Sequence, residues 1–194
     1  MAIAAVAIAS TACSESLPTE AAADLTPSYA KGETSGNKLQ CFGDGECTLI
    51  PGGATLSNDA GEHSGVYIPS NLIGRSLSDV NKLSFDYSGS GAAGGSPRIS
   101  VPIDSNGDGT TDDHAFIDTG YCNDAGDPNV GTLDAINDPT CVIWYGSDSY
   151  ANWAAFASAN PTYRISGTSF IIVDQAGTFN ITNVQLGKGP AKGK

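Results

Sequence analysis

With 194 residues, 24 glycines, 40% hydrophobic content and only 15% charged residues, the chain suits a single domain rich in turns, all-β rather than helical. Nine Lys and Arg against 21 Asp and Glu give a formal net charge of −12. That balance excludes nucleic acid and anionic membrane surfaces as partners, because no basic patch is left to neutralise phosphates.

The chain opens on Ala2-Ile3-Ala4-Ala5-Val6-Ala7-Ile8-Ala9-Ser10-Thr11-Ala12, an apolar run ending in small residues. Residues 1–12 read as a secretory signal segment, too short to span a membrane. Ser10-Thr11-Ala12-Cys13 resembles a bacterial lipoprotein signal. The resemblance implies that Cys13 carries lipid and that membrane contact runs through this anchor alone. Ordinary cleavage near Ala12, leaving Cys13 as a free thiol, is the other reading. Either way the chain is expected to be exported, as a cell-surface lipoprotein or a secreted protein. Residues 13–38 are rich in Ser, Thr, Ala, Glu, Gly and Pro without apolar periodicity, and read as a flexible tether.

Setting Cys13 aside leaves four cysteines, an even number suited to two disulfides in an oxidising compartment. Cys41 and Cys47 are expected to form a small staple, and Cys122 and Cys141 to bracket a long loop. A loop of that size gains about 3 kcal/mol from cross-linking in the chain-entropy picture. The absence of a CxxC pair and the presence of only two histidines argue against a cysteine metal site.

Residues 39–187 read as an antiparallel β-sandwich with one short helix, followed by a flexible tail over 188–194. Leu39-Gln40-Cys41-Phe42 and Cys47-Thr48-Leu49-Ile50 are expected to pair as a hairpin across Gly43-Asp44-Gly45. Ala54–Leu56 and Gly65–Ile68 are the next strand candidates, and Ser78-Asp79-Val80 a single helical turn. Lys82–Ser88 is the clearest strand, with Leu83, Phe85 and Tyr87 on one face. A glycine-rich loop follows over Ser88–Ser96. It lacks the Gly-Lys-Ser/Thr and the helix of a phosphate cradle. Pro97–Ile103 and Ala115–Ile117 read as strands, Gly120–Thr140 as a long acidic loop, and Cys141–Tyr145 as an apolar strand. Tyr150–Ala157 is the helix, stopped before Pro161. Three strands close the domain, Tyr163–Ser166, Phe170–Val173, and Thr178–Ile181 running on to Val184–Leu186.

One stretch carries chemistry. Asp104-Ser105-Asn106-Gly107-Asp108-Gly109-Thr110-Thr111-Asp112-Asp113 sets oxygen side chains at alternating positions, then a glycine for a sharp turn. Asp104, Asn106 and Asp108, the carbonyl of Thr110, and Asp112 or Asp113 are the oxygen ligands a Ca²⁺ ion would take. The stretch resembles the acidic calcium loops of EF-hands, dockerins and thrombospondin type 3 repeats. It departs from the EF-hand where Ala115 stands in place of the bidentate glutamate and where strands replace the flanking helices. The resemblance therefore implies a Ca²⁺ loop between two strands. A cation would also relieve the repulsion among its carboxylates.

The closing pattern adds a second resemblance. An apolar strand, then Val173-Asp174-Gln175-Ala176-Gly177-Thr178-Phe179, then Ile181-Thr182-Asn183-Val184-Gln185-Leu186, is similar to the last strands of jelly-roll domains of the carbohydrate-binding-module type. It implies a non-catalytic surface module with a glycan as partner. Tyr121 and Tyr150 lie in expected loops and are the candidate ligand-binding aromatics. Trp144 alternates within a strand and Trp153 sits in an apolar helix, which places both in the core. Two other functions stay open. A structural surface or matrix protein could assemble through sandwich edges. A glycoside-hydrolase-like enzyme would need two suitably spaced carboxylates, for which Asp86 and Asp174 are candidates, equally explained as exposed strand-edge residues. No GxSxG, HExxH or Ser/His/Asp pattern is present, so the reading is that the protein is not an enzyme.

Overall fold

A computed structural model describes residues 39–91, 95–122 and 129–187. The signal segment, Cys13 with the tether, and the tail at 188–194 lie outside the described residues. In chain order the strands are β1 (Gln40–Gly43), β2 (Glu46–Ile50), β3 (Gly53–Asn58), β4 (Ser64–Tyr67), β5 (Lys82–Ser90), β6 (Arg98–Asp104) and β7 (Asp113–Asp118). They continue as β8 (Val130–Asp134), β9 (Ile143–Tyr145), β10 (Asp148–Tyr150), β11 (Arg164–Ile165), β12 (Phe170–Val173) and β13 (Gly177–Gly187). Helix α1 (Trp153–Ala159) lies between β10 and β11, and tight helical turns occupy Leu77–Asp79 and Thr119–Tyr121.

The strands form two antiparallel sheets packed as a sandwich. The larger has the order β1-β4-β12-β6-β7-β9-β10, with β11 pairing the far end of β6. The smaller has the order β2-β3-β13-β5-β8. In both sheets a late strand is wedged between early ones: β12 sits between β4 and β6, and β13 between β3 and β5.

The core follows from two-residue alternation. Leu83, Phe85 and Tyr87 of β5 point inward, as do Ile99, Val101 and Ile103 of β6, and all six are buried. Ile171 and Val173 of β12 meet Phe179 and Ile181 of β13 in the same cluster. Full burial of such side chains is worth about 1.5–3 kcal/mol each. Helix α1 packs on the turn at Leu77–Asp79 and on β10. Asn152 caps it by accepting from the Ala155 N–H at 2.9 Å, and Trp153 Nε1 donates to the Leu77 carbonyl at 2.9 Å.

Four sequence expectations need correction. First, β1 and β2 do not form a hairpin: β1 pairs with β4 in the large sheet and β2 with β3 in the small one. The chain crosses between sheets at Gly43, whose φ of 103° only glycine adopts readily, and the Asp44 and Gly45 N–H groups donate to the His63 carbonyl instead. Second, β8 lies inside the expected acidic loop, where Val130–Asp134 pairs with β5. Its one buried apolar side chain, Leu133, is too weak a periodic signal to mark a strand. Third, α1 starts at Trp153, because Asn152 is extended and acts as the cap. Fourth, Tyr150 belongs to β10, which folds back on β9 across Gly146.

Both disulfides join as expected, Cys41 to Cys47 and Cys122 to Cys141. Because β1 and β2 lie in different sheets, the first bond ties the two layers at one edge. The second ties the turn at Thr119–Tyr121 to the start of β9. Two such bonds point to an oxidising, extracellular environment. Among the described residues no helix is long and apolar enough to cross a membrane.

Candidate functional site

The acidic loop joins β6 to β7, with Asp104 as the last residue of one and Asp113 as the first of the other. Its base is closed by the Asp112 N–H donating to the Ile103 carbonyl at 2.9 Å. Gly107 and Gly109 take left-handed φ values of 84° and 86°, and a buried Asp104 carboxylate receives both of their amides, at 2.6 and 2.9 Å. Asn106 Oδ1 accepts from the Asp108 N–H at 2.9 Å, and Asp108 Oδ1 from the Thr110 N–H at 2.8 Å and its hydroxyl at 2.6 Å. Asp112 takes the N–H and hydroxyl of Ser105, both at 2.7 Å, and the Asn106 side-chain amide at 2.9 Å. Asp113 Oδ1 accepts from the His114 N–H at 2.7 Å. Hydrogen bonds from Thr110 hold the Asp108 carboxyl below its ordinary range, and those from Ser105 do the same for Asp112.

This loop is therefore wound by its own amides into consecutive Asx turns. Among the described residues no three His, Cys, Asp or Glu side chains gather closely enough to share a metal ion. The donor types suit calcium, and an oxygen that accepts one N–H keeps a lone pair for a cation. The acidic side chains are spread along the loop instead of converging.

A different feature stands out on the outer face of the large sheet. Inward aliphatic residues alternate with outward aromatic ones, and the register lines the latter up. Tyr67 of β4 is opposite Phe170 of β12, Phe170 opposite Ser100 of β6, Ser100 opposite Phe116 of β7, and Phe116 opposite Trp144 of β9. The adjacent row runs Phe42, Gly65, Ile172, Arg98 and Asp118. Phe42 lies across Gly65, where a methyl group would collide with its ring. It packs on Tyr67 and Phe170 with ring centroids 4.6 and 5.4 Å apart. His114 continues the belt between Phe170 and Phe116, at 5.6 and 6.1 Å.

The belt ends in a groove of about 300 Å³ lined by Arg98, Phe116, Asp118, Tyr121 and Trp144. Tyr121 is 51% exposed and Trp144 37%, and their rings meet edge to face at 6.0 Å. The Arg98 guanidinium lies 5.4 Å from the centre of the Phe116 ring and binds Asp174 at 2.5 Å. Asp174 also accepts from the Ser96 hydroxyl at 2.6 Å. Asp118 is set differently. Its Oδ1 is buried and has no hydrogen-bond partner among the described residues. Burial raises its pKa to about 6, against the lowering effect of Arg98 and with a smaller upward push from Asp174. Gly95, at φ 86°, abuts this carboxylate: a Cβ there would stand 2.7 Å from Asp118 Oδ2.

Of the two aromatics picked from sequence, Tyr121 lies in this groove. Tyr150 does not: it is half-buried and packs on Phe156 at 5.0 Å, beside Tyr145 and Tyr163. Trp153 is in the core as expected, at 3% exposure, whereas Trp144 faces outward, contrary to expectation. The belt itself was missed. Phe170-Ile171-Ile172-Val173 reads as a plain apolar run, and only the offset of each aromatic by one position from the aliphatic residues hints at a second apolar face. No family model, no characterised protein and no solved structure matches the chain.

A stability test follows from Asp118. Its carboxyl binds a proton more tightly in the folded protein, near 6 against an ordinary 3.8, so stability is lost as pH rises through that window. Asp118→Asn removes this cost. Its melting temperature should match the wild type near pH 3.5, exceed it increasingly up to about pH 6.5, and run parallel above that. His114, whose pKa is lowered by burial, acts in both proteins and cancels in the difference. A calorimetric difference that does not change with pH would show that the buried carboxyl carries no such shift.

Proposed function

We propose that this protein is a non-catalytic, exported glycan-binding module whose binding face is the outer surface of the large sheet. The observation that carries the reading is the row Tyr67, Phe170, Phe116 and Trp144, brought into register across five strands with Ser100 of β6 between Phe170 and Phe116. Sugars present apolar C–H faces ringed by hydroxyls. They bind to flat aromatic surfaces with a few polar groups at the margin. The large sheet offers both, with Arg98 and Asp118 beside the aromatic row. The small sheet's outer face carries hydroxyls and amides paired with each other, Thr55 with Asn180 at 2.8 Å and Ser57 with Thr178 at 2.7 Å. Such self-satisfied polar surface has little to offer a ligand.

The non-catalytic reading is supported by how the carboxylates are committed. Hydrolysis of a glycosidic bond needs a second carboxylate free to act on the sugar or on water. Asp174 is held by Arg98 and Ser96, and Asp86 is bound by the Thr132 hydroxyl at 2.6 Å and the Asn183 side-chain amide at 2.5 Å. Asp118 thus has no free carboxylate partner among these.

The binding face is tested by affinity electrophoresis of the full chain in gels containing soluble polysaccharides. The wild type should be retarded by at least one of them. Trp144→Ala should weaken that binding by at least about tenfold, as for an anchor at the centre of a contact. Thr55→Ala on the opposite sheet should bind as the wild type does. Free migration of the wild type in every gel would sink the reading.

Calcium belongs to the same proposal, on the donor chemistry of Asp104, Asn106, Asp108 and the Thr110 carbonyl, with Asp112 and Asp113 alongside. The loop and the groove lie at opposite ends of the seven-residue strand β6. At about 3.3 Å per residue they are roughly 20 Å apart. The ion would therefore brace the β6–β7 connection without touching ligand. Extracellular sites of this kind bind at about 10⁻⁴–10⁻³ M, and tenfold excess over the dissociation constant adds about 1.4 kcal/mol. Millimolar Ca²⁺ should raise the melting temperature by several degrees over chelator, and Asp108→Ala should abolish the difference while Asp59→Ala keeps it. A melting temperature indifferent to calcium would leave the loop as an amide-closed turn. Lipid at Cys13, the surface anchor in this proposal, should appear as a diacylglyceryl-modified N-terminal peptide in mass spectra of the native membrane fraction; a mature chain starting elsewhere would remove it.

A further inference from the structure

The groove at the end of the aromatic belt has a polarity of its own. It is lined by one cation and one carboxylate, and Arg98 is already paired with a second carboxylate outside the lining, Asp174. The charge on Asp118 is left without a direct partner, inside a protein of net charge −12. Asp118 lines the groove as an acidic acceptor, the arrangement that rewards a ligand able to supply an O–H or N–H. Around it stand the exposed rings of Tyr121 and Trp144 and the edge of Phe116.

We propose that this groove is a subsite for one neutral pyranose residue, lying with an apolar face on Trp144 and donating a hydroxyl to Asp118, and that it rejects uronates. The inference rests on the glycan reading above and names the sugar class and the residues that select it. Size agrees: about 300 Å³ is at the small end of the roughly 300–1,000 Å³ typical of ligand pockets, which suits a ring or two and not a long chain segment. A uronate would bring a third negative charge to a site whose single guanidinium is already engaged, and the field of the whole protein opposes it. A neutral sugar meets no such barrier. Its hydroxyl donates to the groove-lining Asp118 carboxylate and its C–H face covers the indole.

The groove is also held in shape. The Cys122–Cys141 bond anchors the turn carrying Tyr121 beside β9, which carries Trp144, and the Val142 N–H donates to the Tyr121 carbonyl at 3.2 Å. Gly95 packs directly on the Asp118 carboxylate. A ligand therefore spends little binding energy on ordering these groups.

Ionisation of Asp118 sets a pH dependence. The ionised carboxylate is the stronger acceptor for a sugar hydroxyl, and protonation removes acceptor capacity. Its pKa of about 6 places the change between pH 5 and 7. The other titratable groups near it are Asp174, fixed by Arg98 and Ser96, and His114, which lies on the far side of Phe116.

The experiment uses the full chain and soluble xyloglucan, galactomannan and arabinoxylan as neutral probes, polygalacturonate as the anionic probe and chitosan, at pH 5 alone, as the cationic one. Affinity is measured by titration calorimetry at pH 5 and pH 7.5, with melting curves confirming that each variant is folded. A neutral polymer should bind, more tightly at pH 7.5, and polygalacturonate should not. Asp118→Asn should weaken binding roughly tenfold at pH 7.5, the size of a lost charge-assisted hydrogen bond, and flatten the pH profile. Binding of a neutral polymer that survives both Asp118→Asn and Trp144→Ala but is lost in Tyr67→Ala would place the ligand elsewhere on the belt. That outcome overturns the subsite and leaves the wider reading standing. Preference for polygalacturonate or for chitosan would overturn the charge argument. Binding to none of the five by the wild type would remove both readings together.

Discussion

The structure depends on the insertion of its last two strands into the middle of the two sheets. Strand β12 completes the hydrogen bonding of β4 and β6, and β13 that of β3 and β5. Without them each sheet falls into two pieces with unpaired edges, a costly state for backbone groups facing an apolar interior. Their inward side chains, Ile171, Val173, Phe179 and Ile181, are buried in the core, so the same insertion closes the core as well. Most pairings are distant in the chain, which implies slow folding limited by loop closure. The insertion also builds the groove: Asp174, just beyond β12, reaches Arg98 at the start of β6 and pairs with Ser96 in front of it.

The two outer faces solve the exposure problem in opposite ways. On the small sheet, short hydroxyls and amides satisfy one another across β3, β13, β5 and β8. On the large sheet, rings pack on rings, and the row ends in two aromatics that remain exposed. Contiguous apolar surface on a folded domain is costly to keep in water and commonly marks a contact face. Arg98 joins the two themes, lying over Phe116 while neutralising Asp174. Asp118 is the one acidic group on this face that the fold leaves buried and short of a donor, among the described residues.

The disulfides act where the sheets alone are weakest. Strands β1 and β2 are at the edges of different sheets, and the Cys41–Cys47 bond joins them directly. The Cys122–Cys141 bond holds the turn of Tyr121 against β9, near the far edge of the large sheet. Edge elements fray most readily, and covalent closure there limits local opening. The acidic loop is secured differently, through amides donated to Asp104, Asn106, Asp108 and Asp112.

Several features were legible in the chain by itself. Alternation such as Leu83, Phe85 and Tyr87 marks strands and their inner face, because side-chain direction in a strand has a period of two regardless of partners. Glycine frequency, low charge and four pairable cysteines set the class as a disulfide-bonded β-sandwich. The oxygen spacing of the acidic loop was equally visible, since Asx turns are local. What the sequence left open is everything decided by pairing between distant strands. It did not tell that β1 and β2 belong to different sheets, that Val130–Asp134 finds β5 as its partner, or that Trp144 points outward and Tyr150 inward. Above all, it did not place Tyr67, Phe116, Trp144 and Phe170 in one row or bring Arg98, Asp118 and Asp174 together. Those residues come from separate segments with no local pattern in common. Only the register between strands, fixed when both sheets close over a shared core, makes them neighbours.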